Sequence, residues 1–308
     1  MGSCISVALA VSGHPVVAVA PIEEDLIKAP DYIKQEIAHC ADAGLIQNDE
    51  QKIFNRINIT NRYSDLHDCS VVFECVSEQL KIKKTVYAQL AEHVSNDTVI
   101  ASNTSALPIS LLQQLVPHPE RFMGIHWAEP AYLTRFMELT CGQHTSYDIA
   151  LKMYELAHSW NKEPTLLRKD IRGFITNRLM YALYREAIHL AEADVVSFED
   201  LDKCLKHDMG AWMTFMGIFR KLDYMGIGDY EKVIRSTLVS LCNEESVPGI
   251  MQQKLKENAH GTKNGNGIYS YVNGEAQAWE DSFAQFNRDI YNLAKFYPSE
   301  KTKNATLK

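Results

Sequence analysis

The sequence predicts an α/β domain followed by an all-α domain, and three observations carry that prediction. Up to about residue 168, short apolar or β-branched runs alternate with amphipathic segments, the pattern of a largely parallel sheet with helices on both faces. Beyond Arg172 the strand-like runs almost vanish and helical periodicity takes over. The chain has 308 residues, enough for two domains at about 150 residues each.

In order along the chain, residues 2–12 are small and apolar and read as a helix, Gly13-His14 as a turn, and residues 16–20 as a buried strand. Further strands are expected at 57–60, 70–75, 98–102, 121–126 and 137–141. Between them, residues 23–45, 79–93 and 147–160 carry apolar side chains at three and four spacing, as amphipathic helices do. A domain boundary is expected near 168–172, with Leu167-Arg168-Lys169-Asp170 as the hinge, giving a first domain 1–168 and a second 169–308. Helices are expected in the second at 174–193, 198–207, 212–222, 230–242 and 276–294. Their apolar residues occupy more than one side, which suggests burial in a bundle or across a subunit interface. The tail from 299 to 308 reads as frayed.

Composition narrows the function. With 46% hydrophobic and 23% charged residues the chain resembles an ordinary globular protein. A formal net charge of -8 repels a phosphate backbone, so nucleic acid is not an expected partner. Seven cysteines without a C-x-x-C pair argue against a disulfide framework or structural zinc and for a reducing, cytoplasmic location. The apolar start has no preceding Lys or Arg, unlike a secretory signal. Met1-Gly2-Ser3-Cys4-Ile5-Ser6 meets the loose pattern for N-myristoylation, and a lipid-anchored adaptor would rest on that stretch alone; no stable membrane anchor is expected.

Four stretches carry chemistry: Glu74-Cys75-Val76-Ser77-Glu78-Gln79-Leu80-Lys81-Ile82-Lys83; Ala101-Ser102-Asn103-Thr104-Ser105; Arg121-Phe122-Met123-Gly124-Ile125-His126 with Glu138; and Gly173-Phe174-Ile175-Thr176-Asn177-Arg178. In this order and at these separations they resemble the 3-hydroxyacyl-CoA dehydrogenase family. Leu222-Asp223-Tyr224-Met225-Gly226 and Lys263-Asn264-Gly265-Asn266-Gly267-Ile268-Tyr269 resemble its later signatures. The likeness spans residues 2–272. It implies a Rossmann-type doubly wound sheet, NAD as cofactor, an acyl-CoA or 3-hydroxy acid substrate, and a homodimer formed through the helical domain.

The residues support that chemistry directly. Oxidising a secondary alcohol by hydride transfer needs a base for the hydroxyl proton, and histidine is suited to this near neutral pH. His126 ends an apolar strand, where a doubly wound sheet presents its active groups. A carboxylate behind it, at Glu138, would fix its tautomer and stabilise the imidazolium. The resemblance assigns these roles to His126 and Glu138, and makes Ser105 and Asn177 holders of the substrate's 3-oxygen. It gives Gly2, Glu78, Lys83, Ser105 and Lys263 to the dinucleotide. Each has a plainer alternative. Asn103-Thr104-Ser105 is also a turn or helix cap, Glu78 and Lys83 a solvated pair, and the Lys263 loop a turn needing positive φ.

Three departures from the family pattern stand out. Gly2 aligns with the third glycine of G-x-G-x-x-G, and the strand and first two glycines that would precede it are not in the sequence. The chain therefore reads as N-terminally truncated, with two neighbouring strands left without ladder partners. Ala20 stands where an acidic residue would bind the adenine ribose, with Glu23 or Glu24 as substitutes, and no Arg or Lys follows to favour NADP. Glu129-Pro130 replaces the family's Asn-Pro after the histidine. The alternatives are a λ-crystallin-like dehydrogenase of a free 3-hydroxy acid, such as a sugar acid or carnitine, and a catalytically weak crystallin-like structural protein.

Overall fold

The computed structural model describes residues 1–47, 49–272 and 274–294; the expected frayed tail lies outside them. Seven strands occur among the described residues: β1 Val16–Val19, β2 Ile57–Thr60, β3 Val71–Glu74, β4 Val99–Ser102, β5 Phe122–Trp127, β6 Phe136–Thr140 and β7 Glu163–Leu167. Interleaved with them are α1 Gly2–Val11, α2 Glu23–Asp42, α3 Glu50–Phe54, α4 Leu80–His93, α5 Ile109–Leu112 and α6 Tyr147–Ser159. All six expected strands form. The seventh, β7, was not expected, because Pro164 interrupts its ladder donors. It is tolerated because β7 is the edge strand, paired only with β6.

The strands form two sheets, β1-β2 and β3-β4-β5-β6-β7. Every pairing is parallel except β5 with β6. Among the described residues no ladder joins β1 to β3, so each of these strands is paired on one side only. Side chains and α1 hold the halves together instead. Cys4, Ile5 and Ala8 of α1 pack with Met123, Ile125 and Trp127 of β5 and with Met137 and Leu139 of β6. Val7 and Ala10 of the same helix pack with Ile33, Ile37 and Cys40 of α2. On the other face, Val72 and Ile100 join Tyr87 and Leu90 of α4 and Ile109 and Leu112 of α5, with Val17 and Val19 of β1 against them. Neighbouring residues on a strand thus face opposite cores, as the two-residue period requires.

Gly124 in β5 is fixed by this packing. A Cβ there would lie 2.7 Å from Cδ1 and 2.9 Å from Cγ1 of Ile109. Only glycine lets α5 approach the strand two residues before His126.

After β7 the described chain is helical: α7 Thr176–Glu192, α8 Phe198–Cys204, α9 Gly210–Met213, α10 Ile218–Met225, α11 Ile227–Thr237, α12 Gly249–Lys256 and α13 Glu275–Ala294. The single helix expected at 212–222 is two, because the chain leaves helical geometry at Gly217, which caps α10 at ψ 165°. The described chain divides into two compact units, Met1–Ile175 with the described residues from Phe286, and Thr176–Gln285. The expected hinge lies inside the first: Leu167 closes β7, and the Ser110 N–H donates to Asp170 Oδ2 at 2.7 Å.

In the helical unit no described residue is buried. Phe215, Phe219, Tyr224 and Val239 are 65%, 78%, 76% and 87% exposed. These helices are apolar on more than one side, as expected, and among the described residues those sides stay exposed. No helix among the described residues is long and apolar enough to cross a membrane.

Candidate active site

The antiparallel β5–β6 ladder places His126 directly opposite Glu138. Nδ1 of His126 lies 2.9 Å from Oε2 of Glu138. A carboxylate can only accept, so Nδ1 carries the proton and Nε2 presents its lone pair. The imidazole is 24% exposed while the Glu138 side chain is 1% exposed, so a buried anion backs a reachable base. The second carboxylate oxygen, Oε1, accepts the Ile175 N–H at 3.0 Å. That N–H arrives through a turn at Gly173 and Phe174, with φ of 78° and 49°. The buried Phe174 ring lies 6.2 Å from the imidazole. The Gly-Phe-Ile stretch thus walls the histidine and orients its carboxylate.

A second group forms at the carboxyl ends of β3 and β4. Glu74, which the sequence reading passed over, is its hub. Its side chain is fully buried and accepts from Lys83 Nζ at 2.8 and 2.9 Å, Tyr87 Oη at 2.7 Å, Ser102 Oγ at 2.7 Å and the Val76 N–H at 2.9 Å. Burial pushes the Tyr87 phenol well above its ordinary range, the Glu74 charge adding to the effect. Lys83 also lies 3.2 Å from Glu78. Lys83 is 1% exposed, so it has no surface to offer a ligand, whereas Glu78 is 37% exposed. Partial burial alone would raise the Glu78 carboxyl; the Thr104 hydroxyl, the Lys83 ammonium and the Ala106 N–H outweigh it and hold the group below its usual range.

The turn that carries Ser105 is fastened at both sides. The Asn103 N–H donates to the Glu74 carbonyl at 2.8 Å, and the Trp127 N–H donates to Asn103 Oδ1 at 2.8 Å. Thr104 Oγ1 donates to Glu78. Exposed Ser105 therefore projects from a turn tied both to the Glu78 group and to the residue after His126. The first unit brings His126, Ser105, Glu78 and Lys83 to the carboxyl ends of β3, β4 and β5, where open α/β sheets bind ligands, and the antiparallel β6 sets Glu138 beside His126. Gly2 opens α1, and an added Cβ would meet Cys75 Cβ at 3.7 Å, an ordinary contact, so space alone does not demand glycine. Asn177, half-buried in the first turn of α7, and exposed Lys263 belong to the helical unit.

This donor set fits the ribose hydroxyls of a dinucleotide. An exposed, ionised carboxylate can accept from ribose hydroxyls, and the serine hydroxyl can both donate and accept.

The profile of the 3-hydroxyacyl-CoA dehydrogenase NAD-binding domain matches residues 1–171, and that of the C-terminal domain of the same enzymes matches 173–271. The chain belongs to the 3-hydroxyacyl-CoA dehydrogenase family. It is 32% identical to the mitochondrial hydroxyacyl-coenzyme A dehydrogenase of Sus scrofa over 281 residues, 88% of each chain. It is 33% identical over 208 residues to 5-formyl-3-hydroxy-2-methylpyridine 4-carboxylate 5-dehydrogenase of Mesorhizobium japonicum, 68% of this chain and 67% of that one. The crystal structure of an enzyme of that last name, described as an NAD+-dependent dismutase, superposes with a TM-score of 0.87 at 26% identity, covering 97% of this chain and 96% of that one. The (S)-3-hydroxybutyryl-CoA dehydrogenase of Ralstonia eutropha superposes at 0.73 with 25% identity, covering 89% and 96%. As a member of the 3-hydroxyacyl-CoA dehydrogenase family, the protein is an NAD-dependent oxidoreductase.

Proposed function

We propose that the protein oxidises a short-chain L-3-hydroxyacyl-CoA to the 3-oxoacyl-CoA, the dehydrogenation of fatty-acid β-oxidation. The His126–Glu138 pair carries this reading, because it leaves a buttressed lone pair on Nε2 beside the strand ends. In this mechanism Nε2 takes the proton of the substrate's 3-hydroxyl. Glu138 stabilises the imidazolium that results, a contribution of about 10²–10⁴-fold for such acid–base catalysis. Bound NAD supplies the hydride acceptor. Ser105 and Asn177 hold the substrate's 3-oxygen. Glu78, Ser105, Lys263 and the helix start at Gly2 hold the dinucleotide, with Lys83 acting through Glu78. Residues 1–168 bind the cofactor, and 169–308 complete the substrate site and dimerise.

The uncovered apolar side chains of α10 and α11 support the homodimer, since soluble monomers rarely expose apolar patches of that extent. The odd, unpaired set of cysteines supports a reducing cytoplasm.

A second reading, a dehydrogenase of a free hydroxy acid, is favoured by the closer superposition on the pyridine-carboxylate enzyme. The deciding assay follows NADH formation with 3-hydroxybutyryl-CoA and with free 3-hydroxybutyrate. Turnover of the thioester, abolished in His126→Ala, supports the first reading. Turnover of the free acid alone replaces it with the second, and no turnover of either by folded protein would favour the structural, crystallin-like alternative.

A further inference from the structure

Lys162 sits in the turn between α6 and β7 and is 3% exposed. Among the described residues no carboxylate lies within ion-pair reach of it. Its ammonium donates to the carbonyls of Ala131 and of Thr134, the latter at 2.7 Å, and lies 5.2 Å from the centre of the Trp127 ring. All three belong to the segment that leaves His126 and returns as the Glu138 strand. A buried charge without a counter-ion costs stability, and what this one returns is the fastening of two carbonyls and one ring of a single segment.

The segment it grips is held from two other directions. The Ala131 N–H donates to Cys4 Sγ of α1 at 3.1 Å, and the Trp127 N–H reaches Asn103 Oδ1. Thr134 Oγ1 folds back to donate to the Glu129 carbonyl at 3.1 Å. Fixing Ala131 and Thr134 thus also fixes the exposed Glu129, three residues beyond His126.

We propose that Lys162 is a positioning residue of the dehydrogenase site, its ammonium pinning the 127–134 segment so that the two catalytic strands and Glu129 keep their places. The proposal rests on the assignment of His126 and Glu138 as the reacting pair. The titratable and charged groups facing Lys162 are Cys4 of α1, Cys40 of α2 and Arg135, the residue before β6. Burial first, with Arg135 adding, pulls the Lys162 ammonium down to about 8 against the opposing effect of the two thiols. Burial pushes those thiols up to about 11 and about 12.

The test compares the full chain with its Lys162→Met variant by thermal melting, steady-state kinetics, and hydrogen exchange of the 128–135 amides at one pH. The clamp predicts a folded variant whose 128–135 exchange rises at least fivefold. It also predicts a kcat at least tenfold lower, with the KM for NAD within threefold of the parent. Unchanged exchange, or kcat within twofold of the parent, in a folded variant overturns it. Should that variant not fold, Lys162→Gln, whose amide can still donate to one of the two carbonyls, is judged by the same exchange and kcat limits. A parent that turns over no 3-hydroxyacyl substrate sinks the functional reading, while the exchange comparison still judges the clamp.

Discussion

His126 and Glu138 occupy facing positions on antiparallel strands, with 2.9 Å between imidazole Nδ1 and carboxylate Oε2. Ladder register sets that distance, and a one-residue slip would send the two side chains to opposite faces of the sheet. The same carboxylate spends its other oxygen on the Ile175 N–H.

Glu138→Gln should therefore keep the fold and lose the chemistry. An amide offers one acceptor oxygen where the site uses two, so either His126 or Ile175 loses its partner. The expected result is a kcat lower by about 10²–10⁴-fold with an unchanged circular dichroism spectrum. A variant with parental kcat would remove Glu138 from the mechanism.

Lys83→Met should be costly alone and much less so together with Glu74→Gln. Removing the ammonium leaves a buried carboxylate with only neutral donors, a loss of about 3–5 kcal/mol. Neutralising both ends removes the uncompensated charge. Urea denaturation of both singles and the double measures the coupling, and simple additivity would contradict the buried network.

Gly124→Ala should destabilise by about 1–3 kcal/mol, the usual cost of overpacking. The new methyl group would meet the Ile109 side chain and push either α5 or the His126 strand. Ile109→Ala should relieve part of the loss in the double variant, read as a partial recovery of the denaturation midpoint.

Lys162 makes stability depend on pH in a direction that can be stated. Its folded value, about 8, lies below the 10.5 of the free side chain. Below pH 8 both states hold the proton and the burial cost is present in full. Between pH 8 and 10.5 the folded protein has released a proton that the unfolded chain keeps, so stability rises with pH. Relative to Lys162→Met, the parent should gain about 3 kcal/mol between pH 7 and pH 10.5. Denaturation midpoints of both chains at those pH values measure it, and a pH-independent gap would refute it.

Phe219→Asp, on the exposed face of α10, should shift the protein toward monomer in sedimentation velocity. Phe219 is 78% exposed, so the isolated chain loses little by the change. An unaltered sedimentation coefficient would place any subunit contact elsewhere.

The strands were legible because their apolar runs are short and bounded by turns, and β7 was not because Pro164 reads as a strand breaker except at an edge. His126 and Glu138 were legible only as parts of a motif; nothing local shows that residues twelve apart will face each other. Glu74 was missed for a related reason. Its partners Lys83, Tyr87 and Ser102 lie nine, thirteen and twenty-eight residues away and meet it only after folding. Lys83 looked like a solvated helix lysine by the same logic, and Lys162, in a turn, gave no sign of burial. Sequence reasoning locates polar residues well when they stay in water and poorly when tertiary structure desolvates them.

The helix α1 has a consequence for biosynthesis. It is apolar on both faces, one packed in the β5–β6 core and the other against α2. Cys4 finds its Ala131 partner 127 residues later in the chain. During translation at about 5–20 residues per second, this helix leaves the ribosome many seconds before the strands that cover one of its faces. Nascent chains of this protein should thus present a sticky, unsatisfied helix until the β5–β6 hairpin emerges, and their yield should depend on how well chaperones shield it over that interval.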